Sequence, residues 1–258
     1  MVVLSGDKDS SVVIMQRADY VNKLETMIEE GITNGKYMVT EDNTLKDLKY
    51  FQDFLTRNFK SSLPLNKNGY SIKSTTDFAE RLSNRTVDDD DEVLVSYDVS
   101  SLFTEVPLGE TIDHIIHEIY TYNKLPQLSS KLLFRRLLCN VTKNTVFSFN
   151  GKLYKQIDGC GMGNPLSPVL ANIFMAKLEA DVIRPLDPPF YDRYVDDCFS
   201  KKKKNEPDAL FERLNRYHPN IVFTVEENPD HFLDTAFSYT NKFNCSVFKK
   251  PGKLPTYW

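Results

Sequence analysis

Cysteine is scarce in this 258-residue chain, and the little there is does not pair up. Cys139, Cys160, Cys198 and Cys245 are widely scattered, with no C-x-x-C among them. That spacing argues against a zinc site and a disulfide framework and suits free thiols in a reducing compartment. Histidine is equally sparse, at four. His114 and His117 would share a helix face, but no third ligand is evident, which leaves them a structural or solvated role. No run of roughly 18 apolar residues occurs, so no membrane span is expected. The opening six residues are too short and uncharged for a secretory signal. The expectation is an intracellular protein, in nucleus or cytosol, not secreted. Internal repeats are lacking as well.

A strong charge of one sign is also missing. The net charge is −4 and the isoelectric point about 5.7, which taken alone disfavours nucleic-acid binding. The distribution is uneven, however. Residues 88–91 are all Asp, residues 201–204 are all Lys, and Lys249, Lys250 and Lys253 cluster near the end. Basic patches can grip phosphates within an acidic protein. Four consecutive carboxylates cannot all face one ion, so 88–91 reads as a solvated loop. For 201–204, a solvated loop and a phosphate contact both stay open.

What is present is ordinary globular patterning, at 41% hydrophobic and 26% charged residues. Residues 11–15 suit a short strand. Asp19 would cap a helix with Val21, Leu24, Met27 and Ile28 inward and Gly31 at its end. A second helix from Thr44 would carry Leu45, Leu48, Phe51, Phe54 and Leu55 on one face, with loop over 61–70. Ser74 or Thr75 starts a short helix through Phe78 and Leu82. Residues 92–98 form a buried strand ending on Asp98. Pro107 opens a helix with Ile112, Ile115, Ile116 and Ile119 on its apolar face, and another helix spans about 129–141. Asn150-Gly151 suits a type I′ turn inside a hairpin over 146–154. A helix follows the glycines of 159–163, from about 168 to 181, and one more covers 207–217. Strands are expected at 221–225, 232–239 and 243–248. Helices interleaved irregularly with hairpins point to an α+β fold with a largely antiparallel sheet.

Three stretches carry the chemistry. Asp98 ends a strand, with the aromatic Phe103 five residues on. A loop, Gly159 to Pro168, leads into a helix. Phe190 to Ser200, FYDRYVDDCFS, sets Asp196-Asp197 at a tight turn between apolar strands. Two adjacent carboxylates there repel each other unless a cation is present, and Mg²⁺ prefers carboxylate oxygens; a plain surface turn is the alternative. Carboxylates on neighbouring strands can hold two divalent ions about 3.5–4 Å apart, the arrangement that activates a 3′-hydroxyl and stabilises leaving pyrophosphate.

In this order the stretches resemble reverse-transcriptase motifs, closest to those of Penelope-like retroelements. YDVSSLFTEVPL, GMGNPLSPVLANIF and YVDD carry the resemblance, joined by HPNIVFTVEENPDHFLD and VFKKPGKLPTYW, and preceded by DKDSSVVIMQRADY. The resemblance implies an RNA-directed DNA polymerase with a reverse-transcriptase palm, helices packed on one sheet face, using two Mg²⁺ ions or Mn²⁺ in their place. Its partners would be an RNA or DNA template with primer, and deoxynucleoside triphosphates. Asp98, Asp196 and Asp197 would be catalytic and ligate the metals, with the Val99 carbonyl joining them. Phe103 matches the position that excludes a 2′-hydroxyl; ordinary core packing is its alternative. Gly161, Gly163, Pro165 and Ser167 would shape the nucleotide and template floor, and Lys249 and Lys250 would meet primer phosphates.

By this resemblance, residues 1–90 hold residual fingers, 91–242 the palm, and 243–258 a primer-grip-like strand and the start of a truncated thumb. The family's fingers segment would fall between Lys60 and Leu63, where almost nothing intervenes. Asn164 stands where Ser is frequent and Glu105 where Asn is frequent. No GIY-YIG endonuclease domain occurs within these residues. Two other readings remain: a palm remnant that binds metal or nucleic acid without polymerising, and a palm-like cyclase or two-metal nuclease.

Overall fold

The computed structural model describes residues 2–5, 12–15, 26, 29–30, 32–35, 37–39, 48–63, 69–86, 91–122, 130–143, 145–161, 163–239 and 242–248. The strands are β1 (Val2–Ser5), β2 (Val12–Met15), β3 (Tyr37–Val39), β4 (Glu92–Val99), β5 (Val146–Phe149), β6 (Lys152–Gln156), β7 (Tyr191–Tyr194), β8 (Asp197–Lys203), β9 (Phe223–Glu227), β10 (His231–Phe232), β11 (Thr235–Tyr239) and β12 (Phe243–Val247). The helices are α1 (Leu48–Ser62), α2 (Thr75–Ser83), α3 (Leu102–Glu105), α4 (Leu108–Thr121), α5 (Lys131–Lys143), α6 (Ser167–Leu178) and α7 (Ala209–Tyr217). Beyond Leu178, α6 continues through a π-helical turn, Glu179–Ile183, to Leu186.

The central sheet is antiparallel, in the order β7-β8-β4-β9. Strand β4 sets its two faces. Successive side chains point to opposite sides, so Val93, Val95, Tyr97 and Val99 are buried while Leu94, Ser96 and Asp98 alternate with them. The Val/Tyr face packs on α4, through Ile112, Ile115, Ile116 and Ile119, and on α6, through Val169, Leu170, Ile173 and Phe174. The other face meets a second cluster, in which Phe199 of β8 packs with Phe78 and Leu82 of α2, Phe232 and Phe243. That cluster joins the sheet β10-β11-β12 to α2, and a third sheet, β3-β6-β5, lies apart from both. The first cluster draws on the Val93, Val95, Tyr97 and Val99 alternation of β4, whereas the second takes only Phe199 of β8 and the half-buried Leu94 of β4 from this sheet.

Most local expectations hold. Ser74 caps α2, its hydroxyl accepting from Asp77 N–H at 3.2 Å. Asn150 and Gly151 both have positive φ, 48° and 74°, as a type I′ turn requires. Four differ. Residues 201–203 are strand, not loop: they pair in register with Leu94, Val93 and Glu92 of β4, and Lys201 and Lys202 reach Glu92 and Glu227 across the sheet. The stretch 232–239 is a tight hairpin rather than one strand: Phe232 pairs with Thr235 across a turn with Leu233 at φ 54°. Ile32 and Thr33 are helical, beyond the position expected to end the first helix, and Gly35, at φ 72°, follows them; Gly31 itself lies outside the described residues. Residues 61 and 62 belong to α1, which the hydrogen bond from Leu63 N–H to the Phe59 carbonyl extends. Among the described residues no helix is long and apolar enough to cross a membrane.

Candidate active site

Strand register brings the carboxylates together. Asp98, at the end of β4, lies directly opposite Asp197, the first residue of β8. Residues facing each other this way share a sheet face, with Cβ atoms roughly 4.5–5.5 Å apart. Tyr194 pairs with Asp197, so the two-residue hairpin loop is Val195-Asp196, not Asp196-Asp197 as expected, and Asp197 already belongs to β8. The Asp196 carbonyl accepts from Val99 N–H at 3.3 Å, which ties the loop to β4 beside Asp98. All three carboxylates are half-buried, and those of Asp98 and Asp197 lie on the sheet face away from α4 and α6. Thr224 of β9 flanks Asp98 on the other side, in register.

The donors suit a hard divalent cation: carboxylate oxygens at facing strand positions, with a third in the adjoining turn. Among the described residues no three Asp, Glu, His or Cys side chains gather closely enough to hold an ion on their own. That is compatible with Mg²⁺, which is usually held by one or two carboxylates together with water and substrate phosphates rather than by an all-protein cage. Asp98, Asp196 and Asp197 are the residues that would hold it. The Val99 side chain is buried, and its N–H serves the hairpin as above.

Beyond Asp98 the chain turns sharply. Ser101 takes a left-handed conformation, φ 53°, and α3 follows. Phe103 on α3 is half-buried, its ring packed against the main apolar cluster. Its carbonyl accepts from Cys160 N–H at 2.6 Å, which docks the glycine loop onto α3. Within that loop Gly159, at φ 75°, lies so close to Thr104 that a Cβ would sit 2.2 Å from the Thr104 carbonyl oxygen. A Cβ on Gly161 would meet the Thr145 hydroxyl at 2.0 Å, whereas Gly163 faces open space. Ser167 is buried and donates to the Gly161 carbonyl at 2.6 Å, so it shapes the loop from within. Pro165 is half-buried beside it. Lys249 and Lys250 lie outside the described residues.

An open cleft of about 620 Å³ adjoins the end of β4, lined by Ser100, Ser101, Glu105, Asp158 and Asn220 among others. Its wall is mixed, with Pro219 and Val222 among the polar groups, and Glu105 and Asp158 each add a carboxylate there. Two supporting residues escape a reading of the sequence. Asn164 bridges α5 to the start of α6, donating to the Val141 carbonyl and accepting from Leu166 N–H, both at 3.0 Å. Arg193 sits beneath the hairpin, fully buried. Its neighbours Tyr191, Asp192 and Tyr194 give no local sign of this role, which depends on partners on α6 and the π-helical turn.

Comparison with protein families finds no match, and neither does comparison with curated proteins. Among solved structures, the chain is similar to telomerase from Candida albicans in complex with a TWJ fragment of telomeric RNA. The TM-score is 0.67 at 10% identity, covering 96% of this chain and 54% of that one. Telomerase from Candida tropicalis in complex with a TWJ fragment of telomeric RNA gives a TM-score of 0.50 at 12% identity, covering 96% and 44%. The chain thus spans about half the length of these telomerase chains. At such identities the likeness is one of fold, and with the helix-backed antiparallel sheet it makes this an α+β, palm-like chain with a reverse-transcriptase-like fold.

Proposed function

We propose that this chain is the palm-bearing part of an RNA-directed DNA polymerase of the Penelope-like retroelement kind, with the palm over residues 91–242. The observation that carries the reading is the facing register of Asp98 and Asp197 with Asp196 in the turn between the strands. Two bound Mg²⁺ ions would lower the pKa of a primer 3′-hydroxyl and stabilise the charge on the leaving pyrophosphate. The protein's own part is positioning. Asp98 and Asp197 orient their oxygens from two strands of one sheet, so their spacing is set by backbone hydrogen bonds rather than by a loop. The left-handed turn at Ser101 leads the chain from Asp98 toward the cleft, whose carboxylates Glu105 and Asp158 would keep a triphosphate on the aspartate side of the turn. Phe103 would stand beside the sugar, backed by the core it packs against. Template and primer would pass over the Gly163 side of the glycine loop, which is open. The free thiols suit work in nucleus or cytosol.

One observation favours a weaker second reading, a palm that binds nucleic acid without efficient synthesis. Helix α1 runs through Asn58, Phe59 and Lys60 to Ser62, and Leu63 is buried against it, where the related enzymes are expected to insert their fingers segment. Primer extension on RNA and DNA templates with Mg²⁺ and deoxynucleotides separates the two. The polymerase reading expects extension by the wild type and loss of at least about 10²-fold in Asp98→Asn and Asp196→Asn, the scale of losing a transition-state electrostatic group. Template binding without any extension supports the second reading. Extension that survives both substitutions would sink the site assignment.

A further inference from the structure

The hairpin that carries Asp196 is held from beneath by one arginine. Arg193 lies on β7, on the sheet face that packs against the helices, and is fully buried. Its Nε donates to Glu179 Oε1 at 2.5 Å. Its Nη1 donates to Asn172 Oδ1 and to the Val195 carbonyl, each at 3.0 Å. Glu179 opens the π-helical turn, and Asn172 is on α6, the helix that the glycine loop enters. Single π-turns inside helices recur at functional sites.

The Val195 contact matters because Val195 is strained. It has φ 57°, while Asp196 keeps a negative φ. Those are the φ signs of a type II′ turn, whose first position normally takes glycine. A β-branched residue in the left-handed region is an outlier that persists only where its surroundings over-determine it. Here they do. The peptide before Asp196 is pinned through the Val195 carbonyl by Arg193, and the peptide after it through the Asp196 carbonyl by Val99 N–H. Stability alone does not account for the arginine. A buried ion pair is often no more stable than well-packed apolar residues of the same volume. Arg193 Nη2, moreover, is buried without a hydrogen-bond partner.

We propose that Arg193 is a positioning residue: it locks the strained Val195 turn so that Asp196 is presented beside Asp98, and through Glu179 and Asn172 it couples that turn to the helix bearing the glycine loop. The meaning of Asp196 rests on the polymerase reading; the clamp rests on geometry alone.

The test reads the clamp without catalysis. Amide-resolved hydrogen exchange is measured at Val99 in the wild type, in Arg193→Lys, and in a double variant, Arg193→Met with Glu179→Leu, that removes both buried charges together. Loss of the clamp frees the Asp196 carbonyl, so Val99 should exchange at least about 10-fold faster in either variant, with the centre of β4 unchanged. A lysine ammonium keeps the charge beside Glu179 but lacks the planar fork that serves three acceptors at once, so Arg193→Lys carries the test even if the double variant does not fold. In parallel, Mn²⁺ binding followed by electron paramagnetic resonance should need at least about 10-fold more metal in the variants, with Asp196→Asn as the control for loss of the site. Val99 exchange and Mn²⁺ affinity within two-fold of wild type in Arg193→Lys would overturn the proposal. Variants that show the Val99 effect, together with a wild type that neither binds Mn²⁺ nor extends primers, would retire the polymerase reading and leave the clamp standing.

Discussion

Gly159 and Gly163 sit in one loop, both with positive φ, 75° and 84°, yet a methyl group would cost them very different amounts. At Gly163 there is open space, so alanine meets only the backbone penalty, about 1 kcal/mol. At Gly159 the same penalty is joined by a Cβ placed 2.2 Å from the Thr104 carbonyl, and backbone cannot swing aside. Overpacking adds about 1–3 kcal/mol. For a chain of this size, 1 kcal/mol moves Tm by roughly 2–4 °C. Thermal melts should therefore show Gly159→Ala falling well below Gly163→Ala; equal shifts would mean that the loop is not locked onto α3. The sequence displays a glycine cluster but not which member is crowded, because Thr104 and Thr145 come near only in the folded chain. The thiols make a second residue-scale prediction. Burial pushes Cys160 up to about 12, with Asp158 adding to the rise, and burial likewise pushes Cys198 up to about 12. An unfolded cysteine ionises near 8.5. Between that value and 12 the unfolded state sheds protons that the folded state keeps, so stability falls as pH rises, by up to about 1.4 kcal/mol per pH unit for each thiol. Replacing both with alanine should flatten the decline of denaturation midpoint across pH 9–11, although the variant starts from a lower midpoint.

Among the elements, the joint between α5 and α6 rests on Asn164. Removing its side chain leaves the Leu166 N–H without this partner, whereas the Val141 carbonyl keeps its bond from Gln52 Nε2 at 2.9 Å, so one buried group is left unsatisfied, at about 1–3 kcal/mol. Asn164→Ala should lower Tm by roughly 2–12 °C on the scale already used. Asn164→Ser keeps a hydroxyl near Leu166 but cannot span to Val141, so it should recover part of the loss. A serine variant no better than alanine would place the whole effect in the Val141 contact. Elements with local causes were legible beforehand: the alternation of 92–99, the isoleucine stripe of α4, the Ser74 cap and the Asn150-Gly151 turn each act within a few residues. Those set by partners were not. Lysines 201–203 look solvated in isolation, and only Glu92 on β4 and Glu227 on β9 show that two of them belong to a strand. The hairpin at 231–235 was hidden because its turn uses Leu233, at φ 54°, where a glycine or asparagine would have announced it. In the site, the facing of Asp98 and Asp197 followed from a strand end and a hairpin, whereas the arginine beneath them depends on an α6 contact that no local pattern predicts.

At the scale of the whole molecule, the question is how an acidic chain would hold a polyanion. Lys and Arg number 32 against 36 Asp and Glu. The most conspicuous basic block is already engaged, with Lys201 on Glu92 at 2.5 Å, Lys202 on Glu227 at 2.9 Å and Lys203 on Glu206 at 3.2 Å. A lysine paired with a carboxylate neutralises a phosphate only by giving up that partner, so this block should add little to template affinity. The grip then falls to a few cations, of which Lys249 and Lys250 are the candidates by resemblance. Each phosphate neutralised on a single strand contributes a slope of about −0.7 to log K against log salt. Two lysines give roughly −1.4, which is only about a 7-fold loss of affinity between 50 and 200 mM salt. Fluorescence anisotropy with a labelled single-stranded RNA across that range should return such a shallow slope, and Lys249→Ala with Lys250→Ala should bring it close to zero. Substituting Lys201 and Lys202 should leave it unchanged. A slope several times steeper that survives loss of Lys249 and Lys250 would refute this assignment, and would move the nucleic-acid contact to a different basic surface.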